Sequence, residues 1–263
     1  MNDEASDSGE EVAIEKGKVE LLPLTLIATP IGNLGDLTLR AIQTLKHCDL
    51  VIAEDTRRAS NLLAHLEIKK PSLSFHEHNE ERRLPELMRR LLAGEKMALV
   101  TDAGTPSVSD PGFRLVRACV SGKIAYTVLP GPSAVMTALV GSGFPPIPFL
   151  FGGFLPSSGS GRRSELRKAA SSSGTVIYFE SPHRLVDCLE DLIAIAPLCR
   201  VCVARELTKI HEEYRQGSPA ELAAHYRESP PKGEVSLVMN FSPAILDGKK
   251  PHSEKTPIPR NFA

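Results

Sequence analysis

Three times in its first half the chain places a short apolar run, a loop of Gly, Pro and small polar residues, and a helix start in succession. Leu24-Thr25-Leu26-Ile27-Ala28 leads into Thr29-Pro30-Ile31-Gly32-Asn33-Leu34-Gly35-Asp36. Met97 to Thr101 leads into Asp102-Ala103-Gly104-Thr105-Pro106-Ser107-Val108-Ser109-Asp110-Pro111-Gly112. Tyr126 to Leu129 leads into Pro130-Gly131-Pro132-Ser133-Ala134. The first of these runs reads as a buried strand, and the other two as strands. Strands alternating with helices close into a mostly parallel sheet covered by helices on both sides. Ligands of open α/β sheets bind at the carboxyl ends of the strands, so three such loops predict a ligand site. Any one of them alone is equally an ordinary tight turn. Asp102 suits a cap for its own loop or a ligand contact, and Ser133 is a good helix N-cap in its own right. The first loop is not G-x-G-x-x-G, so a Rossmann dinucleotide site is not indicated.

Helical spacing predicts helices over Asp36–His47, Thr56–Leu66, Glu80–Ala93, Gly112–Ser121 and Ser133–Val140, with further strands at Leu50–Ala53 and Ser72–Phe75. From Phe149 onward strands and helices mix with shorter connections, as in an α+β unit. Strands are predicted at Phe149–Phe154, Thr175–Phe179, Arg200–Ala204, Glu212–Gln216 and Glu234–Asn240. Helices are predicted at Pro182–Ile195 and Ser218–Arg227, the latter with the Ser218/Glu221 spacing of a capping box. The expected organisation is an α/β domain over residues 21–131 and an α+β domain over 132–245. An acidic tail, 1–20, and a Pro/Lys-rich tail, 246–263, flank them and are expected to be loose, having little to bury.

With 31 basic and 32 acidic residues the formal net charge is -1, so any nucleic-acid contact must rest on local basic patches. The 5 cysteines are odd in number and lack framework spacing, which predicts reduced thiols in a cytoplasmic protein. Cys199 and Cys202 fall in an extended run that points them to opposite faces, unlike a redox pair at a helix start. No apolar stretch follows the start, so no secretory signal is expected. The uncharged stretch from Ile124 to Gly161 is broken by prolines, so no membrane helix is expected there.

Polar loops follow the other strands. Glu54-Asp55-Thr56-Arg57-Arg58 offers guanidinium groups suited to phosphate, and Asn79, Arg162, Arg163 and Lys232 are further candidate substrate contacts. Arg162 and Arg163 equally suit the solvated end of a helix. His76, Glu77, His78 and Glu80 alternate along an extended segment without a second ligand pair, so no metal site is expected.

Taken jointly and in order, TPIGNLGD, AEDTR, HEHNE, DAGTP with SDPG, LPGPSA, GFLP, YFESPHR, ARELTK and KGE span about residues 24–240. This series resembles the tetrapyrrole methylase superfamily, the class III methyltransferases. Within it the chain looks like the branch that methylates the 2′-hydroxyl of a cytidine ribose in small-subunit ribosomal RNA. The resemblance implies a two-domain fold, a homodimer, S-adenosylmethionine held between the domains, and ribosomal RNA or the small ribosomal subunit as substrate. It places the cofactor at Pro30 and Ile31, at Asp102, Gly104, Thr105 and Val108, at Ser133 and Ala134, and near Ser181, Leu207 and Gly233. The Ile124–Gly161 stretch is a candidate for the dimer interface. Gly104-Thr105-Pro106 stands where tetrapyrrole C-methyltransferases of the superfamily have GDP, which favours the RNA branch. Intact cofactor loops argue against the other alternative, an idle RNA-binding protein on the same fold. Members of the branch continue past the KGE strand into a helical extension, whereas here a Pro/Lys-rich stretch follows. A ribose hydroxyl is a poor acid and needs a base or acceptor. Glu54, Glu80, His183 and Glu206 are the candidates by residue type and location.

Overall fold

The computed structural model describes residues 21–242; the two tails expected to be loose lie outside the described residues. The fold is α/β, with two five-stranded sheets.

The first sheet holds β1 (Leu24–Ile27), β2 (Leu50–Ala53), β3 (Ser72–Ser74), β4 (Met97–Val100) and β5 (Tyr126–Leu129) in the order β3-β2-β4-β1-β5. Every pairing in it is parallel. β1, β2 and β4 are buried at every residue, which explains their unbroken apolar runs. α1 (Leu39–His47) and α2 (Thr56–His65) bury Ala41, Leu45, Ala59 and Leu63 against one face. α3 (Glu80–Leu92) and α4 (Phe113–Ser121) bury Leu87, Leu91, Leu115 and Cys119 against the other.

Two predicted helices begin later than expected. Asn33 accepts a hydrogen bond from Gly35 N and closes a 3-10 turn over Leu34–Asp36. Leu37 is then extended, and the Thr38 hydroxyl caps α1 by accepting from Ala41 N. Likewise Ser181 caps a 3-10 turn, Pro182–Arg184, before α7 (Leu185–Ile195). In both places a local side-chain acceptor outcompetes helix propagation.

The chain then crosses to the second unit, because α5 (Ala134–Gly141) packs on the second sheet. That sheet contains β6 (Phe149–Phe154), β7 (Thr175–Glu180), β8 (Arg200–Arg205), β9 (Glu213–Gly217) and β10 (Val235–Asn240), ordered β6-β7-β10-β8-β9. Only β6 and β7 run parallel. α6 (Gly159–Ala170), α7 and α8 (Pro219–Glu228) cover one face around Leu166, Leu189, Tyr226 and Leu237. α8 starts with the Ser218/Glu221 capping box. On the opposite face α5 meets Ile177, Cys202 and Val238, and Ile31, from the loop after β1, joins the same cluster. Covered on both faces, β10 is buried throughout.

Cys199 and Cys202 belong to the two opposite faces, and burial pushes both thiols up to about 12. Among the described residues no helix is long and apolar enough to cross a membrane.

Candidate functional site

β4 lies between β2 and β1, yet it is followed by a helix on the opposite face from theirs. The chain therefore diverges at the carboxyl ends of these strands and leaves crevices on either side, the usual ligand position of an open α/β sheet. The loops after β1 and β4 are locked together there. Thr29 N donates to Gly104 O and Gly104 N to Thr29 O, both at 2.9 Å. Thr29 Oγ1 donates to Thr101 O at 3.0 Å. Gly104 sits at φ 81°, a conformation in which a side chain is strained. Thr105 Oγ1 donates to Pro132 O at 3.2 Å and ties the second loop to the third.

A cleft of about 490 Å³ opens between the two units at this point. The first unit contributes Ile31, Asp102, Gly104, Thr105 and Val108 to its lining, the start of α5 contributes Ser133 and Ala134, and the rest of the second unit contributes Ser181 and Gly233. Ser133 is also the N-cap of α5, accepting from Met136 N at 3.4 Å. Pro30 lines a neighbouring crevice instead, and Leu207 is buried in the apolar cluster that contains Ile31. The aromatic rings of Phe154 and Phe179, 5.3 Å apart and edge to face, add an apolar wall.

The cleft is acidic. Glu54, Asp102, Asp110, Glu180 and Glu234 reach its lining, and Arg58 is the one cationic side chain there among the described residues. Arg58 Nε lies 3.3 Å from Asp102 Oδ2, and Asp102 Oδ1 also accepts from Asp55 N at 3.2 Å. Glu180 is buried; it takes Arg184 Nη2 at 2.5 Å and Ser181 N at 2.6 Å, while its Oε2 has no partner. Burial, followed by the charge of Asp102, raises the Glu54 carboxyl above its usual range. Burial, followed by Glu54 and Asp102, pushes Asp110 up to about 7. Asp110 is carried by a loop in which Ser107 and Ser109 adopt left-handed backbone, φ 72° and 64°. Such non-glycine positions cost of order 1–3 kcal/mol each and persist where surrounding structure over-determines them.

Of the candidate bases, Glu54 lines the cleft and the others do not. Glu80 is paired with Arg114 at 2.8 Å between α3 and α4. His183 is exposed in the turn before α7. Glu206 accepts from Lys209 Nζ at 2.8 Å and from Glu234 N at 3.1 Å, and the Lys209 contact lowers its pKa. It locks two loops and holds its charge, contrary to the needs of a base acting near neutral pH.

The candidate substrate contacts also divide. Arg162 is buried and its Nε donates to Asp191 at 2.7 Å, so it is a structural ion pair rather than a phosphate contact. Arg163 reaches the same carboxylate at 3.4 Å. Asn79 is equally committed: its Oδ1 accepts from His76 N at 3.0 Å and its amide reaches Ser74, so it shapes the turn before α3. Arg57 is exposed and doubly bonded to Asp55. Lys232 is exposed beside Gly233 and lines a separate depression on the second unit.

Sequence reasoning passed over Asp110 and Glu180. The signal for Asp110 was its place in Ser109-Asp110-Pro111-Gly112, within a loop already assigned to ligand. Glu180 ends an apolar strand and had no such mark.

A sequence profile described as Tetrapyrrole (Corrin/Porphyrin) Methylases matches residues 23–223. A Thermotoga maritima protein named ribosomal RNA small subunit methyltransferase I is 44% identical over 217 residues, 82% of this chain and 97% of its own. The protein of that name from Synechocystis is 46% identical over 82% of this chain and 78% of its own. Among solved structures, a diphthine synthase superposes with TM-score 0.63 at 14% identity, covering 82% of this chain and 89% of its own. The Thermus thermophilus uroporphyrin-III C-methyltransferase complexed with S-adenosylhomocysteine gives 0.57 at 18%, covering 84% and 99%. At such identities the structures establish only the shared fold. By its sequence profile and its curated relatives, the chain belongs to the tetrapyrrole methylase family, in the group of ribosomal RNA small subunit methyltransferase I.

Proposed function

We propose that the cleft binds S-adenosylmethionine and that the protein transfers its methyl group to the 2′-hydroxyl of a cytidine ribose in small-subunit ribosomal RNA. The observation that carries this reading is the convergence of the family's cofactor loops on one acidic cleft. Bound there, S-adenosylmethionine supplies a methyl group on a positively charged sulfur. The residues present suit it. Glu54, Asp102 and Asp110 offer negative charge to a sulfonium, the backbone at Gly104 permits close approach, and Ile31, Val108 and Phe179 offer apolar surface to an adenine ring. Arg58 pairs with Asp102 at the cleft wall, which orients that carboxylate.

The protein's own work is alignment and exclusion of water, since a sulfonium is already a strong electrophile. Glu54 and Asp110, which line the cleft, are the groups to accept the ribose proton as the hydroxyl attacks; burial raises both carboxyls, Asp110 to about 7, which suits a base near neutral pH. The relatives' name supports ribosomal RNA as substrate. The enzyme works as a homodimer, with the exposed Ile147, Phe149, Leu150 and Val140 contributing to the interface. Mapping ribose methylation in small-subunit RNA from cells with and without the protein tests the reading. One 2′-O-methyl-cytidine that disappears with the gene and returns with it supports the proposal. An unchanged methylation map overturns it.

A further inference from the structure

A second crevice, of about 290 Å³, adjoins the cofactor cleft. The Arg58–Asp102 ion pair stands between them, because both residues line both spaces. The topology explains why it exists. The chain leaves β4 toward the α4 face, so on the α2 face the carboxyl end of β4 is left open between α2 and the loop after β1. Its floor is apolar, with Ala53, Val100, Ala59 and Leu62. Asn61 and His65, both exposed on α2, bring an amide and an imidazole to the lining.

Resting on the function proposed above, we infer that this crevice is the pocket for the pyrimidine base of the nucleotide that is methylated. Three observations support the assignment, and one geometric consequence agrees with them. At 290 Å³ the space lies near the lower end of small-molecule pockets, roughly 300–1,000 Å³, which fits a single base and leaves no room for a tetrapyrrole macrocycle. Proteins hold an unstacked RNA base by stacking it on an aromatic ring or a guanidinium plane and bonding its edge, and His65, Arg58 and Asn61 bring such groups to this lining. A side-chain amide both donates and accepts, as the edge of a pyrimidine requires. Finally, a base seated here puts its ribose at the shared Arg58–Asp102 wall, with the 2′-hydroxyl turned to the cleft that holds Glu54 and Asp110. Arg57 and Arg58, on the first turn of α2, then face the flanking phosphates.

The test is single-turnover methylation of small-subunit RNA lacking the modification, with S-adenosylhomocysteine affinity measured by calorimetry on the same preparations. Asn61→Trp, which fills the crevice, is expected to slow methyl transfer by about a hundredfold or more, and Asn61→Ala by several-fold. Both are expected to bind S-adenosylhomocysteine as the wild type does, which also shows that they are folded. Ala64→Trp, on an exposed part of α2 outside the lining, is expected to stay within about threefold of wild type. Transfer by Asn61→Trp at the wild-type rate overturns the inference. A loss of S-adenosylhomocysteine affinity in Asn61→Trp also overturns it, by assigning the crevice to the cofactor. A wild-type protein that binds S-adenosylhomocysteine but methylates no small-subunit RNA overturns the functional reading itself, and the base pocket with it.

Discussion

Asp110 makes the cofactor's charge measurable. In the ligand-free protein it keeps its proton up to about pH 7, because burial, Glu54 and Asp102 all oppose its ionisation. A sulfonium in the cleft favours the charged carboxylate instead. At a separation of about 6 Å and an effective dielectric of about 20, two unit charges attract by about 3 kcal/mol, or about two pKa units. The cleft is open to solvent, so about half of this survives screening, and Asp110 falls from about 7 to roughly 6 on binding. The sign follows directly: the bound state holds fewer protons, so affinity for S-adenosylmethionine rises with pH across this window. The expected gain is about sixfold between about pH 5.5 and pH 7.5, with about half a proton released per cofactor near pH 6.5. Calorimetry in buffers of different ionisation enthalpy reads both quantities. S-adenosylhomocysteine, whose sulfur is neutral, is expected to show a much shallower dependence, and Asp110→Asn to remove the difference between the two ligands. A pH-independent affinity in the wild type, or a dependence that survives in Asp110→Asn, refutes the reasoning.

The same carboxyl predicts a stability effect. Its folded pKa lies above the value of 3.8 for an unperturbed Asp, so stability falls as pH rises through the interval from 3.8 to about 7. Discounted by half for exposure, the shift amounts to about 2 kcal/mol, so Asp110→Asn should raise the melting temperature at pH 8 by several degrees and leave it unchanged near pH 4; equal melting curves at pH 8 count against the raised pKa. Gly104→Val should abolish S-adenosylhomocysteine binding in calorimetry while leaving the far-ultraviolet dichroism intact, since the φ of 81° strains a β-branched residue in the loop locked to Thr29. Arg162→Ala should destabilise by about 1–3 kcal/mol in urea titrations, less than a fully stranded charge would because Arg163 still reaches Asp191, and leave the salt dependence of RNA binding unchanged; Arg57→Ala/Arg58→Ala should shallow that dependence by about two units. The proposed homodimer predicts a dimer mass in light scattering that replacing exposed Ile147 and Leu150 together by Lys turns into a monomer mass.

Local chemistry carried most of the fold. The fully buried β1, β2 and β4 read directly from their apolar runs, and α8 from its capping box. The boundaries that slipped did so where one hydroxyl or amide decided the matter: Asn33 and Thr38 ahead of α1, and Ser181 ahead of α7. Residues held by the loops after β1, β4 and β5 were legible as a candidate site because small residues and strand ends mark the place. What escaped was the use each charged side chain finds in three dimensions. Arg162 and Arg163 look alike in sequence, yet Arg162 is buried against Asp191 while Arg163 stays half in solvent. That pairing joins α6 to α7 across 29 residues of chain, and no local pattern records it. Glu206 suffers the same blindness: beside Arg205 it reads as a spare acid, while its partners Lys209 and Glu234 hold it in place.

One topological choice accounts for where the chemistry sits. Placing β4 between β2 and β1 sets a strand that exits toward α4 among neighbours that exit toward α1 and α2. One opening at the ends of these strands is bounded by the second unit and becomes the acidic cleft; the other is bounded by α2 and becomes the apolar crevice. Two adjoining spaces of different charge, divided by a single ion pair, suit a transfer between a cationic donor and a nucleoside. In the proposed reading the acidic space stabilises the cation, the second space takes the base, and the reacting oxygen is held at the wall between them. Breaking that wall separates the two roles. In Arg58→Ala, Asp102 loses its cation but keeps the Asp55 N–H, so the cleft becomes more negative and S-adenosylmethionine is expected to bind as tightly as before or tighter. Methyl transfer is expected to fall at saturating cofactor, because the ribose loses its support. A variant that loses cofactor affinity and transfer in equal measure would show Arg58 to be part of the cofactor site alone, and the wall would have no role of its own.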